Sequence, residues 1–212
     1  LNEIMSKESF VSDDVGFYDL GLLIVDEEQR FGVMHKEKIK TLKKDINILT
    51  LTATPIPRTL HIAISGIKSL SLLETPPKSR YPIQTYVLSK NDTIIKEAIY
   101  RELNRGGQIF YLHNQISTLH KTAINLKRLV PEAKIVIAHG QMNKEKLEDN
   151  VASFINLEYD ILLCTTIIET GIDIPNANTL IIEDADHLGL AQIYQIRGRV
   201  GRSDRIAYAF LM

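Results

Sequence analysis

Two kinds of segment alternate along the chain. Short apolar runs stand between longer stretches in which apolar side chains return every three or four positions. Leu20–Val25 (LGLLIV) reads as a buried strand, followed by a helix over Gly32–Leu42 with Val33 and Ile39 at helical spacing. Ile46–Leu51 is the next strand, and Arg58–Ile64 is a helix that starts behind Pro57. Glu74–Tyr81 (ETPPKSRY) interrupts the pattern. Consecutive prolines lack N–H donors and fix φ, so Pro76-Pro77 stops helix and strand alike and marks a linker.

Beyond the linker the pattern restarts. Strands are predicted at Ile83–Leu88, Gln108–Leu112, Ile135–Ala138, Ile161–Cys164, Thr179–Ile182 and Ala207–Leu211. Helices are predicted at Asp92–Arg105, Ile116–Leu129, Asn143–Ile155 and Leu190–Gln195. Gly106-Gly107 ends the first of these helices and Asn143 caps the third. Continuous apolar strands separated by helices imply an α/β fold with parallel sheets flanked by helices on both faces. The linker divides the chain into units 1–78 and 79–212.

Composition narrows the function classes. The 212 residues are 44% hydrophobic and 24% charged, enough for one large or two small cores. A net charge of −1 argues against a polybasic partner surface, but a nucleic-acid backbone can still be held by a few Lys, Arg and backbone N–H groups. The single cysteine, Cys164, makes no intrachain disulfide and fits a reducing cytoplasm. No apolar run is long enough to span a bilayer, and no signal-peptide pattern stands at Leu1. The chain lacks an initiator Met and stops at Met212 inside an apolar run, so it is expected to be a piece of a longer protein.

Four motifs carry candidate chemistry, each directly after an apolar strand or on a helix behind one. Asp26-Glu27-Glu28-Gln29 sets carboxylates at a strand's C-terminal edge, where open α/β sheets bind ligands. There Asp26 suits a hydrated Mg²⁺ and Glu27 a water aimed at a γ-phosphate; the alternative is a solvated acidic turn. Thr52-Ala53-Thr54 can hydrogen-bond a carboxylate on the adjacent strand, or be an ordinary turn ahead of Pro55 and Pro57. Thr165–Asp173 offers hydroxyls, free N–H groups and the close approach that Gly171 allows, which suits a backbone phosphate. Asp173 there suits an arginine or a ribose, and a capped turn explains the segment equally well.

The fourth motif is Gln192–Arg202, with Arg197, Arg199 and Arg202 separated by Gly198 and Gly201. Glycines are expected to give the loop little steric cover, so the guanidinium forks reach outward and grip phosphate bidentately. Two such fingers would stabilise charge on a transferring phosphoryl group. A basic nucleic-acid-binding loop is the alternative. His139-Gly140 is a weaker candidate for contacting a second backbone phosphate. The other histidines (His35, His61, His113, His120, His187) have no metal-ligand spacing and read as surface or packing residues.

The order of these segments resembles motifs II to VI of superfamily 2 helicases and translocases. Asp26–Gln29 is similar to motif II, Thr52–Thr54 to motif III, Gln108–Leu112 to the place of motif IV, Thr165–Asp173 to motif V and Gln195–Arg202 to motif VI. Within the superfamily, Asp26–Val33, Thr52–Leu60, Ala138–Met142 and Gly189–Gln192 running into Gln195–Arg202 resemble the bacterial transcription-repair coupling factors, in the RecG-like helicase group.

That resemblance implies part of one RecA-like domain (1–78, motifs II and III) followed by a complete or near-complete second one (79–212, motifs IV to VI). It implies a double-stranded DNA translocase using ATP and Mg²⁺ that displaces stalled RNA polymerase and recruits excision repair. Asp26 and Glu27 would hold the metal and activate water, Arg199 and Arg202 would be the fingers, and Gln195, Gly171 and Asp173 would lie by the nucleotide. Gln29, Thr52 and Thr54 would couple the domains, while Thr165, His139 and Gly140 would meet DNA. No Gly-Lys dipeptide occurs, so the family's phosphate-binding loop is absent from the chain and is expected upstream of Leu1, as are the polymerase-binding and repair-protein-binding modules. The chain alone is therefore expected to be inactive. A RecG-type branched-DNA helicase and a non-catalytic module that binds nucleic acid or protein are the competing readings.

Overall fold

The computed structural model describes residues 19–27, 31–42, 46–52, 71, 73, 81–166 and 174–212. The chain divides into two compact units, Leu1–Leu72 and Leu73–Met212. The predicted helix at 58–64 and the prolines of the linker lie outside the described residues.

In the first unit, β1 (Leu22–Asp26) pairs in parallel with β2 (Asn47–Leu51), and α1 (Val33–Leu42) connects them. Alternation along the strands sorts their side chains. Val25 is buried with Ile39 of α1, and Leu23, Phe31 and Ile48 pack around them. The opposite face carries Leu22, Ile24, Leu49 and Leu51, all exposed. β1 reads as a buried strand in the sequence, and among the described residues one of its faces is covered.

The second unit is a six-stranded parallel sheet. In chain order its elements are β3 (Gln84–Val87), α2 (Asp92–Asn104), β4 (Gln108–Leu112), α3 (Ile116–Leu129), β5 (Ile135–Ala138), α4 (Lys144–Ile155), β6 (Ile161–Cys164), β7 (Ala177–Ile182), α5 (Leu190–Arg197) and β8 (Tyr208–Leu211). The strands lie in the order β3-β8-β7-β4-β6-β5. β4, β6 and β7 are buried along their whole length because neighbours flank them and helices cover both faces. Alternate side chains feed two cores. Phe110, Leu112, Leu162, Cys164, Leu180 and Ile182 face Phe154 of α4 and Ile196 of α5. Ile109, Tyr111, Leu163 and Ile181 face Ile95 and Ile99 of α2 and Leu119 and Leu126 of α3.

β3 departs from expectation. It is an edge strand with every residue exposed, because among the described residues only β8 pairs with it. Tyr86 stacks on Phe210 across that pair, with ring centroids 5.3 Å apart. The ends of α2 at Gly106 and of α4 at Asn143 follow their predicted chemistry, and Asn91 adds a cap that was not predicted. The Asn91 side chain caps α2 and that of Asn143 caps α4, and Gly106 takes φ 70° where α2 stops. No described helix is long and apolar enough to cross a membrane.

Candidate functional site

In the first unit Asp26-Glu27 and Thr52 stand at the ends of paired strands. Asp26 is the last residue of β1, in register with Leu51. The Glu27 N–H donates to the Leu51 carbonyl at 3.0 Å, and Thr52 follows directly. Glu27 has φ 52°, a left-handed backbone that breaks the alternation of the strand. A non-glycine residue held there costs about 1–3 kcal/mol, and such strain clusters at functional sites. An exposed carboxylate at a strand end suits a hydrated Mg²⁺, which needs only one or two protein carboxylates beside phosphates and water. Gln29 and Thr54 lie outside the described residues.

In the second unit the C-terminal edge of the sheet gathers Thr165 and His139. The Thr165 N–H donates to the Ala138 carbonyl at 3.3 Å, so Thr165 and His139 are neighbours just beyond β6 and β5. Gly140 follows in the turn that the Met142 N–H closes onto the His139 carbonyl at 3.1 Å. Gly171 and Asp173 lie outside the described residues.

The same edge holds a polar network with no counterpart in the motif reading. Glu183, immediately after β7, is 2% exposed. The Tyr111 hydroxyl donates to its Oε1 at 2.6 Å, and Lys90 Nζ lies 2.7 Å from that oxygen. His113 Nδ1 lies 2.6 Å from its Oε2, while His113 Nε2 meets Thr118 Oγ1 at 2.7 Å. Burial pushes the Glu183 carboxyl up, but the hydrogen bonds from Lys90, Tyr111 and His113 and the Lys90 charge outweigh it and hold it below the usual range. Burial, and then the Glu183 charge, push the Tyr111 hydroxyl far up. His113 is therefore corrected from a surface or packing residue to a buried member of a network. Its sequence signal was its place directly between a buried strand and a helix.

The arginine loop lies at the other edge. Arg197, at the end of α5, stacks over Tyr194 at 4.6 Å and donates to Thr85 Oγ1 of β3 at 3.3 Å. Val200 is fully buried. Gly201 has φ 71°, and a Cβ there would stand 3.0 Å from the Ala207 Cβ and 3.3 Å from Ile83. The Ser203 hydroxyl donates to Asn178 Oδ1 of β7 at 2.8 Å. The loop is thus pinned at the starts of β3, β7 and β8. The ends of β5 and β6 stand one strand length away, about 13–17 Å for four or five residues. Glycine serves here to seat the loop tightly, which corrects the expectation that it leaves the loop uncovered. Arg199 is half-buried and Arg202 exposed on either side of the Val200-Gly201 anchor, and Arg202 Nε donates to the Gly198 carbonyl at 3.4 Å. Gln195 is half-buried on α5, one turn before the loop.

The second unit is thus a parallel sheet with helices on both faces and an arginine loop pinned at one edge. The chain belongs to the helicase conserved C-terminal domain family, whose model matches residues 89–204. Its curated relatives match almost the whole of this chain. Transcription-repair-coupling factors of Staphylococcus epidermidis and Staphylococcus aureus are each 59% identical over 209 residues, which is 99% of this chain. The chain spans 18% of their length. The structure of RecG bound to a three-way DNA junction is 36% identical with a TM-score of 0.72, covering 94% of this chain and 26% of that one. A variant of Saccharomyces cerevisiae Dbp5 bound to RNA and ADP BeF3 shares the fold alone, at 17% identity and TM-score 0.67 over 92% of this chain and 54% of that one.

Proposed function

We propose that the chain is the hydrolysis and arginine-finger portion of an ATP-dependent double-stranded DNA translocase that displaces stalled RNA polymerase and couples transcription to nucleotide excision repair in the cytoplasm. The observation that carries this reading is the arginine loop. Val200 and Gly201 fix its backbone while Arg199 and Arg202 flank the anchor, which is how a charged fork is held ready without losing its reach. Residues 1–78 then contribute the C-terminal part of a first RecA-like domain, and residues 79–212 form the second.

In this reading Asp26 holds Mg²⁺ through water, Glu27 orients the attacking water, and Gln195, Gly171 and Asp173 line the nucleotide. Gln29, Thr52 and Thr54 relay the state of the site, and Thr165, His139 and Gly140 track the DNA backbone. ATP with Mg²⁺ supplies the phosphoryl group whose cleavage drives movement. RNA polymerase and the repair proteins are engaged through modules elsewhere in the full-length protein.

The test uses a full-length protein carrying this chain. Replacing Arg199 and Arg202 with alanine should lower kcat for ATP by about 10³-fold or more. Undiminished turnover in the folded variant would remove the finger assignment. The 212-residue chain by itself should turn over no ATP, and robust hydrolysis abolished by Glu27→Gln would overturn that. The RecG likeness supports a second reading, a branched-DNA helicase. Release of a stalled polymerase without fork remodelling favours the first reading, and the reverse favours the second.

A further inference from the structure

We propose that Glu102, Arg105 and Arg205 are positioning residues that hold the arginine loop from behind; this rests on the finger assignment above. Glu102 lies on α2, yet it is 0% exposed. A carboxylate with no access to water needs a dedicated counterion and filled lone pairs. Arg105 supplies the first as a fork, with Nε to Glu102 Oε1 at 3.1 Å and Nη2 to Oε2 at 2.5 Å. The Thr179 hydroxyl of β7 donates to the same carboxylate. Gly107 leaves room for it, since a Cβ there would stand 1.7 Å from Glu102 Oε1.

The fork has one more donor, and it points at the loop. Arg105 Nη1 donates to the Ile206 carbonyl at 2.7 Å, across 101 residues of chain. Arg205 Nη1 returns a bond to the Arg105 carbonyl at 2.9 Å. The guanidiniums of Arg101 and Arg105 each lie 5.3 Å from the centre of the Tyr208 ring, at the start of β8.

The finger loop is therefore clamped along its whole length. Arg197 is tied to Thr85 at the beginning, Ser203 to Asn178 in the middle, and Ile206 and Arg205 to the Arg105 corner at the end. Glu102 fixes the rotamer of Arg105, Arg105 fixes the backbone at Ile206, and that fixes where Arg199 and Arg202 stand. Glu102 and Arg105 need not touch nucleotide to act on its hydrolysis, because a displacement of about 1 Å in a catalytic group can cost on the order of 10²-fold.

The test is steady-state ATPase kinetics of the full-length protein for Arg105→Lys, Arg205→Ala and Arg199→Ala. Lysine keeps a cation for Glu102 but loses the fork that also reaches Ile206. Arg105→Lys should lower kcat about tenfold and Arg205→Ala about threefold. In both, KM for ATP and Kd for double-stranded DNA should stay within about twofold, and hydrogen exchange on β4 and β7 should be unchanged; a merely structural role would move the exchange first. Restoring arginine at 105 should restore kcat. If Arg105→Lys unfolds the domain, the exposed Arg205→Ala carries the decision by itself. Unchanged kcat in the folded positioning variants, beside a collapse in Arg199→Ala, overturns the clamp and spares the fingers. Unchanged kcat in Arg199→Ala overturns the finger reading and the clamp with it.

Discussion

Glu102 and Glu183 are both buried, at 0% and 2% exposure, and both are tied to β7, at opposite ends. Glu102 meets Thr179 near the start of the strand, and Glu183 follows its last residue. Their surroundings differ in kind. Glu102 takes its charge compensation from one arginine three residues on, at the C-cap of its own helix. Glu183 draws Lys90, Tyr111 and His113 from the segment before α2, from β4, and from the turn after β4. A single bidentate counterion makes a stiff joint that one substitution disables. A distributed set of donors makes a joint that loses strength in steps. The stiff joint stands behind the arginine loop, and the graded one stands at the edge that carries Thr165 and His139.

The contrast breaks most visibly at Arg105. Arg105→Ala would leave the Glu102 carboxylate buried with one hydroxyl, a loss of about 3–5 kcal/mol. The midpoint of urea unfolding, followed by circular dichroism, should fall accordingly. A cost as small as that of removing Lys90 from Glu183 would show that the two joints are alike. Gly107→Ala attacks the same joint sterically. The new Cβ displaces the locked carboxylate, and overpacking of this kind costs about 1–3 kcal/mol. Adding Glu102→Gln should not relieve it, since the amide fills the same space.

The two joints were also unequally legible from the residues. β4, β5, β6 and α3 match their expected limits, because uninterrupted apolar runs bounded by glycine or charge leave little choice. Strand order and edges were not legible. β3 is more polar than β6 or β8, with Gln84 and Thr85, but its place at the edge comes from the pairing. Glu102 left a trace, since Ile95, Ala98, Ile99 and Glu102 follow i, i+3, i+4, i+7 spacing, which puts a carboxylate on the apolar face of α2. Apart from the place of His113 between a strand and a helix, the Glu183 network left none, because Lys90, Tyr111 and Glu183 stand far apart in the chain. Asp26, Glu27 and Arg199 are candidates by motif order, not by periodicity. Helical and strand periodicity say nothing about which polar strand end carries chemistry.

At the graded joint a single donor should matter less. Tyr111→Phe removes one hydrogen bond to Glu183 Oε1 and leaves Lys90 on that oxygen, so a loss of about 1 kcal/mol is expected in the same urea experiment. A loss as large as that of Arg105→Ala would mean that Glu183 also depends on one dominant partner.

The smallest effect, and the sharpest, is that of Lys90→Ala. Lys90 is 54% exposed, so solvent screens it, and at neutral pH its removal should cost below about 1 kcal/mol. Its signature lies in acid. Because the Glu183 carboxyl titrates below the ordinary range when folded, its ionisation stabilises the fold fully above the unfolded carboxylate value of about 4.3. That contribution is lost as pH falls through the folded value. Lys90 lowers the folded value through both a hydrogen bond and its charge. Without it the folded value rises toward the unfolded one, so the acid loss of stability should be smaller than in the wild type and complete at a higher pH. Urea midpoints measured across the acid range would read this directly. Superimposable acid limbs would mean that Tyr111 and His113 hold the Glu183 charge by themselves, and the graded joint would have to be redrawn without its lysine.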